Sequence, residues 1–196
     1  MNQTITQIRQ ILVVFLFLAT LPLSAQLECT IKIMEDGSTY GVYVRPMAEI
    51  SPSPLAVTGT GQITVVVPTG FEITDFKCAG GLWLQNARVN APAENPGKDY
   101  VTFGFSYDEP PILYVSGQET LLFSFKNGNE YTEPIALIDN ETDPFAQIPN
   151  SVGCNPGNEL SVFDAPRGKA VYRYYGNYQS ETLPFASAQK ADKTNN

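Results

Sequence analysis

The stretch Val101-Thr102-Phe103-Gly104-Phe105-Ser106-Tyr107 sets the fold class. Large apolar side chains at 101, 103, 105 and 107 alternate with Thr, Gly and Ser. Successive side chains of a β-strand point to opposite faces, so this period of two describes a strand with one buried face. Leu121, Phe123 and Phe125 repeat the pattern against Ser124 and Lys126, and Tyr40, Val42 and Val44 oppose Thr39, Gly41 and Tyr43. Ile63–Val67 is short and β-branched, and Pro68-Thr69-Gly70 stops it. Fainter strands follow at Phe71–Cys78, Leu82–Val89, Ile135–Ile138 and Leu160–Phe163. No helical period of useful length is present; one turn at most is expected, at Asp143–Gln147.

Turn chemistry separates these runs. Glu35-Asp36-Gly37-Ser38 predicts a hairpin between Cys29–Met34 and Thr39–Arg45, with Asp-Gly supplying the positive φ. Asn127-Gly128 is expected to do the same after Lys126. Asn95-Pro96-Gly97 and Asn155-Pro156-Gly157 read as type II turns, with Pro fixing φ and Gly accepting φ > 0. Longer connections are expected at Pro46–Thr58, Asn90–Lys98 and Asp139–Gly157. Eight to nine short strands with such crossings predict an all-β fold, a two-sheet antiparallel β-sandwich of jelly-roll or Greek-key type.

The 196-residue chain opens like a secretory leader. Arg9 is the one charge of Met1–Gln10, Ile11–Ala19 is apolar, and Leu23-Ser24-Ala25-Gln26 ends in small residues. Residues 1–26 are therefore expected to be removed, leaving a secreted or cell-surface protein with no membrane-inserted segment. A sandwich domain is expected over 27–164, an edge strand or tether over 165–178 and a disordered tail over 179–196. Glu28 stands where a lipid-anchored cysteine at position 29 would need a small residue, which argues against a lipoprotein.

Losing Arg9 leaves eleven of the twelve bases against twenty acids. That balance lacks the basic footprint of a nucleic-acid binder. The chain has no histidine, which removes Ser-His-Asp and Cys-His catalysis and histidine-ligated zinc. What survives for an enzyme is a carboxylate pair such as Glu72 and Glu119. A glycoside hydrolase needs two such groups about 5.5 Å or roughly 6.5–9.5 Å apart. Solvated charges on the polar side of strands are the plainer reading of both.

Asp139-Asn140-Glu141-Thr142-Asp143 spaces oxygen ligands at alternate positions, so Asp139, Glu141 and Asp143 are candidate calcium ligands, without the full EF-hand pattern. No other cofactor is implied. Cys78 and Cys154 are a candidate disulfide, while Cys29, alternating with Ile31 and Ile33, reads as a small core residue. Flat rings suit the apolar faces of sugars, which makes Trp83, Tyr43, Tyr172, Tyr174 and Tyr175 candidate ligand-binding residues. A lone tryptophan in a sandwich also serves well as core filler. Asn140-Glu141-Thr142 matches a glycosylation sequon.

Three segments carry a resemblance: Val89–Phe105, Ile148–Val162 and Gly117-Gln118-Glu119-Thr120-Leu121-Leu122-Phe123 between them. Together they resemble secreted β-sandwich modules of Bacteroidetes-type surface adhesins, of the cohesin-like and carbohydrate-binding-module-like kind. The resemblance implies a nine-stranded jelly-roll that binds a polysaccharide or a surface protein partner and brings no catalytic residues. A non-catalytic extracellular binding or adhesion module is the expectation, with a small glycoside hydrolase or a structural spacer as alternatives.

Overall fold

The structure, a computed structural model, describes residues 26–47, 53, 55–129, 134–164 and 170–179. The expected leader before residue 26 and most of the expected tail lie outside these residues. The described residues form ten strands: β1 (Gln26–Ile33), β2 (Thr39–Pro46), β3 (Val57–Pro68), β4 (Ile73–Cys78), β5 (Leu82–Asn90), β6 (Lys98–Tyr107), β7 (Thr120–Asn127), β8 (Ala136–Leu137), β9 (Glu159–Asp164) and β10 (Ala170–Asn177). One 3-10 turn at Pro144–Ala146 falls where a single helical turn was expected. No helix among the described residues is long and apolar enough to cross a membrane.

The strands hydrogen-bond in the order β4-β7-β2-β1-β10-β9-β3-β6-β5, with β8 added beside β3. This curled, nearly closed sheet is an all-β, sandwich- or barrel-like fold. Its two halves face each other: Phe76 of β4 stacks on Phe103 of β6 at 5.0 Å, and Phe123 of β7 meets both Phe103 (4.7 Å) and Trp83 of β5 (5.5 Å). The inward residues of the alternating strands build one continuous core, including Val42, Val44, Ile63, Val101, Phe103, Phe123 and Phe125.

Several expectations are corrected. Pairing is not wholly antiparallel, because β1 and β10 run parallel. The segment expected as an edge strand or tether is β10, an interior strand between β1 and β9. The true edges, β4 and β5, each carry a register irregularity, at Thr74/Lys77 and Gln85/Ala87. Such bulges twist an edge away from further pairing.

The turns divide along physical lines. Gly37 has φ 69° and Asp36 caps the hairpin, its Oδ1 accepting from the Ser38 and Thr39 amides at 3.0 and 2.8 Å. Gly97, Gly128 and Gly157 are absent from the positive-φ residues, so the expected type II turns do not form and Asn127-Gly128 does not supply a positive φ. Gly128 is small for a different reason: a Cβ there would come within 2.7 Å of Thr74 Cγ2. A Cβ on Gly157 would lie 3.1 Å from the side-chain oxygens of Asn140 and Asn155.

A second, smaller core forms outside the β9-β3-β6-β5 half. Tyr100, Ile138 and Phe145 are buried there, with Val66, Val89, Ala146 and Cys154 against them. Val66 and Tyr100 sit between inward-facing neighbours, so they point outward, and the long β8–β9 connection folds over them. Amide side chains pin that cover. Asn158 Oδ1 accepts from Thr64 N at 2.8 Å, and its Nδ2 donates to Ile138 O at 2.9 Å. Asn140 exchanges bonds with the Asn158 backbone at 2.9 and 2.7 Å. Glu94 of the β5–β6 loop accepts from Ser151 N (2.6 Å) and Oγ (2.8 Å), tying the two loops together.

Candidate functional site

The β8–β9 connection covers much of one sheet half, and among the described residues the outer face of β4-β7-β2-β1-β10 has no such cover, although Thr30 and Ser124 on it are buried by their neighbours. Alternation fixes what it displays. Leu27 and Cys29 point into the core, so Glu28 and Lys32 point out. Val42 and Val44 point in, so Tyr43 and Arg45 point out. Cross-strand register then places Glu28 opposite Arg45.

Tyr178 follows β10 and continues onto β1 through its amide, which donates to Cys29 O at 3.0 Å. Its ring carries the Arg45 guanidinium, whose carbon lies 3.6 Å from the ring centroid. Arg45 donates through Nε (3.0 Å) and Nη2 (2.9 Å) to Glu28 Oε2. The Tyr178 hydroxyl donates to Glu119 Oε1 at 2.8 Å, and Glu119 Oε2 pairs with Lys32. Lys32 Nζ in turn sits 4.4 Å from the centre of the Tyr43 ring. The chain Glu28–Arg45–Tyr178–Glu119–Lys32–Tyr43 thus runs across β1, β2 and the approach to β7.

This network sets its own protonation. Burial pushes the Glu119 carboxyl up, but the bonds from Lys32 and Tyr178 and the charges of Lys32 and Arg45 outweigh it, and the pKa falls below the ordinary value. Burial and the Glu119 carboxylate raise the Tyr178 phenol. Burial first, then Glu119 and Glu35, raise Tyr43. At neutral pH the carboxylate is therefore charged and both phenols keep their protons.

The expected ring platform is not assembled. Trp83 is fully buried, its indole Nε1 donating to Gly80 O at 2.8 Å, while Leu84 takes the outer side at 53% exposure. Tyr172 is buried in the core, and Tyr174 packs against it with its hydroxyl donating to Asn177 Oδ1 at 2.8 Å. Tyr175 points outward at 62% exposure. Of the five rings, Tyr43 and Tyr175 therefore reach the free face. Tyr178, which clusters in the sequence with Tyr172, Tyr174 and Tyr175 as a further candidate stacking ring, also reaches this face, beneath Arg45.

The other expected sites also resolve. No group of three or more metal-ligating residues forms among the described residues. Asp139 Oδ1 instead accepts from the Glu141 and Thr142 amides (2.9 and 2.8 Å), and Asp143 Oδ1 caps the 3-10 turn through Phe145 N. Asp143 also accepts from the Tyr100 hydroxyl at 3.0 Å. Cys78 and Cys154 are free thiols. Cys78 Sγ accepts from Trp83 N at 3.3 Å beside the main core, whereas Cys154 packs on the second core outside the opposite half. Glu72 and Glu119 do not form a dyad. Glu119 precedes β7, and the Glu72 carbonyl accepts from Gly128 just beyond it. An eight-residue strand at about 3.3 Å per residue separates them by about 25 Å.

The sequon asparagine is engaged as well, through the Asn140–Asn158 bonds of the loop cover. A shallow polar depression lies beside it, lined by Asn140, Ala146, Asn155, Gly157, Asn158 and Glu159. Its amides are spent on the loop: Asn155 Oδ1 accepts from Gly157 N at 3.0 Å, and Gln62 Nε2 donates to the Asn155 and Gly157 carbonyls. Comparison of the chain with known protein families, curated proteins and solved structures finds no match.

Proposed function

We propose that this protein is a non-catalytic extracellular binding or adhesion module that recognises a polysaccharide or a surface protein through the free outer face of β4-β7-β2-β1-β10. The observation that carries this reading is the asymmetry of the two halves. Residues of the β8–β9 connection cover the outside of one, while the other presents Tyr43, Tyr175 and the Arg45–Tyr178–Glu119–Lys32 network. Rings beside paired charges supply both a stacking surface and fixed hydrogen-bonding groups, the combination a sugar or a polar protein surface uses. The leader-like first 26 residues support export, and the cohesin-like sequence resemblance points to binding in the same compartment.

A glycan array together with a pull-down from cell-envelope extract tests the reading. Retention of a polysaccharide or an envelope protein, weakened by Tyr43→Ala and Tyr175→Ala, is the expected result. Blank arrays and an empty pull-down would overturn it.

A further inference from the structure

The free face concentrates the positive charge of an acidic chain. Lys32, Arg45, Lys77, Lys126 and Arg173 project from it, five of the seven bases among the described residues. Eleven of the fifteen described acids lie elsewhere; Glu28, Glu72, Asp75 and Glu119 share the face. The pairing is uneven along it. Arg45 is held by Glu28 and Lys32 by Glu119, near the middle of the sheet. Towards the β4 edge, among the described residues, Lys126 has a single ion contact, 3.9 Å to the exposed Asp75, and Lys77 has none. At the other side, Arg173 of β10 is likewise without a described carboxylate partner and stands beside exposed Tyr175.

Register shows how these bases are spaced. Lys77 pairs with Ser124, Ser124 with Gly41 and Gly41 with Lys32, forming one straight row across β4, β7, β2 and β1. At about 4.8 Å per strand its two lysines are about 14 Å apart along the backbone. The residues between them are small, and the Tyr43 ring lies over Gly41, where a Cβ would come 2.7 Å from Cε2. Thr74, Lys126 and Thr39 form the neighbouring row. The Tyr43 ring and Leu121 thus fill the middle of the row, Glu119 pairs its Lys32 end, and its Lys77 end has no carboxylate partner among the described residues.

Resting on the binding reading above, we infer that this face takes an acidic polysaccharide, laid across the strands from Lys77 and Lys126 towards Arg173 and Tyr175. A chain carrying one anionic group per sugar matches widely spaced lysines. Its hydroxyls match the half-buried Thr39 and the exposed Thr74, and the acids on the face accept from them. The dense phosphates of a nucleic acid would meet Glu72, Asp75 and Glu119 instead. Local charge of this kind steers an anionic polymer to one side of an otherwise acidic protein and weakens as salt rises.

Affinity electrophoresis of the full chain in gels containing polygalacturonate, neutral dextran or double-stranded DNA tests this. Polygalacturonate should retard the protein at low salt and dextran should not. The double variant Lys77→Gln/Lys126→Gln should lose at least fivefold in affinity, with an unchanged melting temperature because both side chains are solvent-facing. Lys98→Gln, off this face, should bind as the parent does. The inference is overturned by an unretarded parent protein, by a double variant retarded as strongly as the parent, or by equal retardation in DNA. Retention by neutral glycans alone would also overturn it while leaving the binding reading standing; only blank arrays and extracts remove both.

Discussion

The Arg45 guanidinium lies over the Tyr178 ring at 3.6 Å and helps fasten the chain after β10 across the outside of β1 and β2. The residue reaching back is held at three points: its amide on Cys29, its ring under Arg45 and its hydroxyl on Glu119. Tyr178→Phe should keep the first two and lose the third. Urea denaturation should show a loss of about 1.5 kcal/mol, the low end for a hydrogen bond to a charged group because the site is half-buried. Tyr178→Ala should lose more, because the cation–π contact goes with it.

The same network has a pH signature. The folded pKa of Glu119 is lowered, so its contribution is complete above the unfolded value of about 4.3 and disappears as pH falls through the lower folded value. Glu119→Gln should therefore lose less stability on acidification below about pH 4 than the parent. The Tyr178 phenol is raised, so its contribution is present below about pH 10 and is lost as pH rises past that. Tyr178→Phe should flatten the alkaline side of the melting-temperature profile, and an unchanged alkaline slope would contradict the Tyr178–Glu119 bond.

Asp99 is a buried charge with a cationic partner. It is almost fully buried, accepts from Arg88 Nη2 at 2.6 Å, and also takes the Gly70 and Ala91 amides. Arg88 Nη2 additionally donates to Phe71 O, so this group joins β5 and β6 to the turn before β4. Asp99→Ala leaves the Arg88 cation without its carboxylate and the Gly70 amide without its acceptor, while Ala91 N keeps its bond to Lys98 O at 3.1 Å. The cost should be about 3 kcal/mol, the low end for a broken buried pair because the Arg88 side chain is 27% exposed. A chemical-denaturation midpoint close to the parent's would refute this role.

Thiol titration separates the cysteines. Burial first, then the Glu28 charge, pushes the Cys29 thiol up to about 12, so it should stay unreactive in the native protein. Cys78 and Cys154 are partly exposed and free, so each should react. Three thiols should appear after denaturation without reductant. A single thiol under those conditions would mean that a disulfide exists.

Trp83 gives an optical test of its own placement. An indole enclosed by Phe105 and Phe123 should emit as in an apolar environment, and acidic polysaccharide should leave that emission unmoved. Trp83→Ala should destabilise by roughly 3–5 kcal/mol, as large aromatic truncations in cores do. Emission shifted by added polysaccharide would return this residue to the ligand surface.

The strands were legible because period-two alternation is a direct consequence of a one-sided core. Val101 to Phe105 and Phe123 to Phe125 alternate within β6 and β7 as read, but Tyr107 is exposed, and a register shift at Val42/Tyr43 puts Leu122 instead of Leu121 in the core. The second core was written less plainly. Val65-Val66-Val67 and Tyr100-Val101 break the alternation with adjacent apolar residues, the pattern of strands covered on both faces. What covers them, Ile138 and Phe145, comes from a loop whose polar composition hides two anchors. Tyrosines hide their direction even better: Tyr172 faces the core and Tyr175 the solvent, and a register shift between Leu27 and Glu28 intervenes before Tyr178. Asn155-Pro156-Gly157 and Asn127-Gly128 misled because glycine serves close approach as readily as positive φ, whereas Gly97 has open space around it and turns without a positive φ. No alternation rule could bring Glu119 to Lys32, 87 positions apart; that contact depends on which strands become neighbours.

The most direct measurement is lysine acetylation of the native protein, read by mass spectrometry with and without polygalacturonate. The account predicts protection of Lys32, Lys77 and Lys126 on the free face and no change at Lys98. Protection confined to Lys98, or no protection anywhere while the polymer is bound, would contradict it.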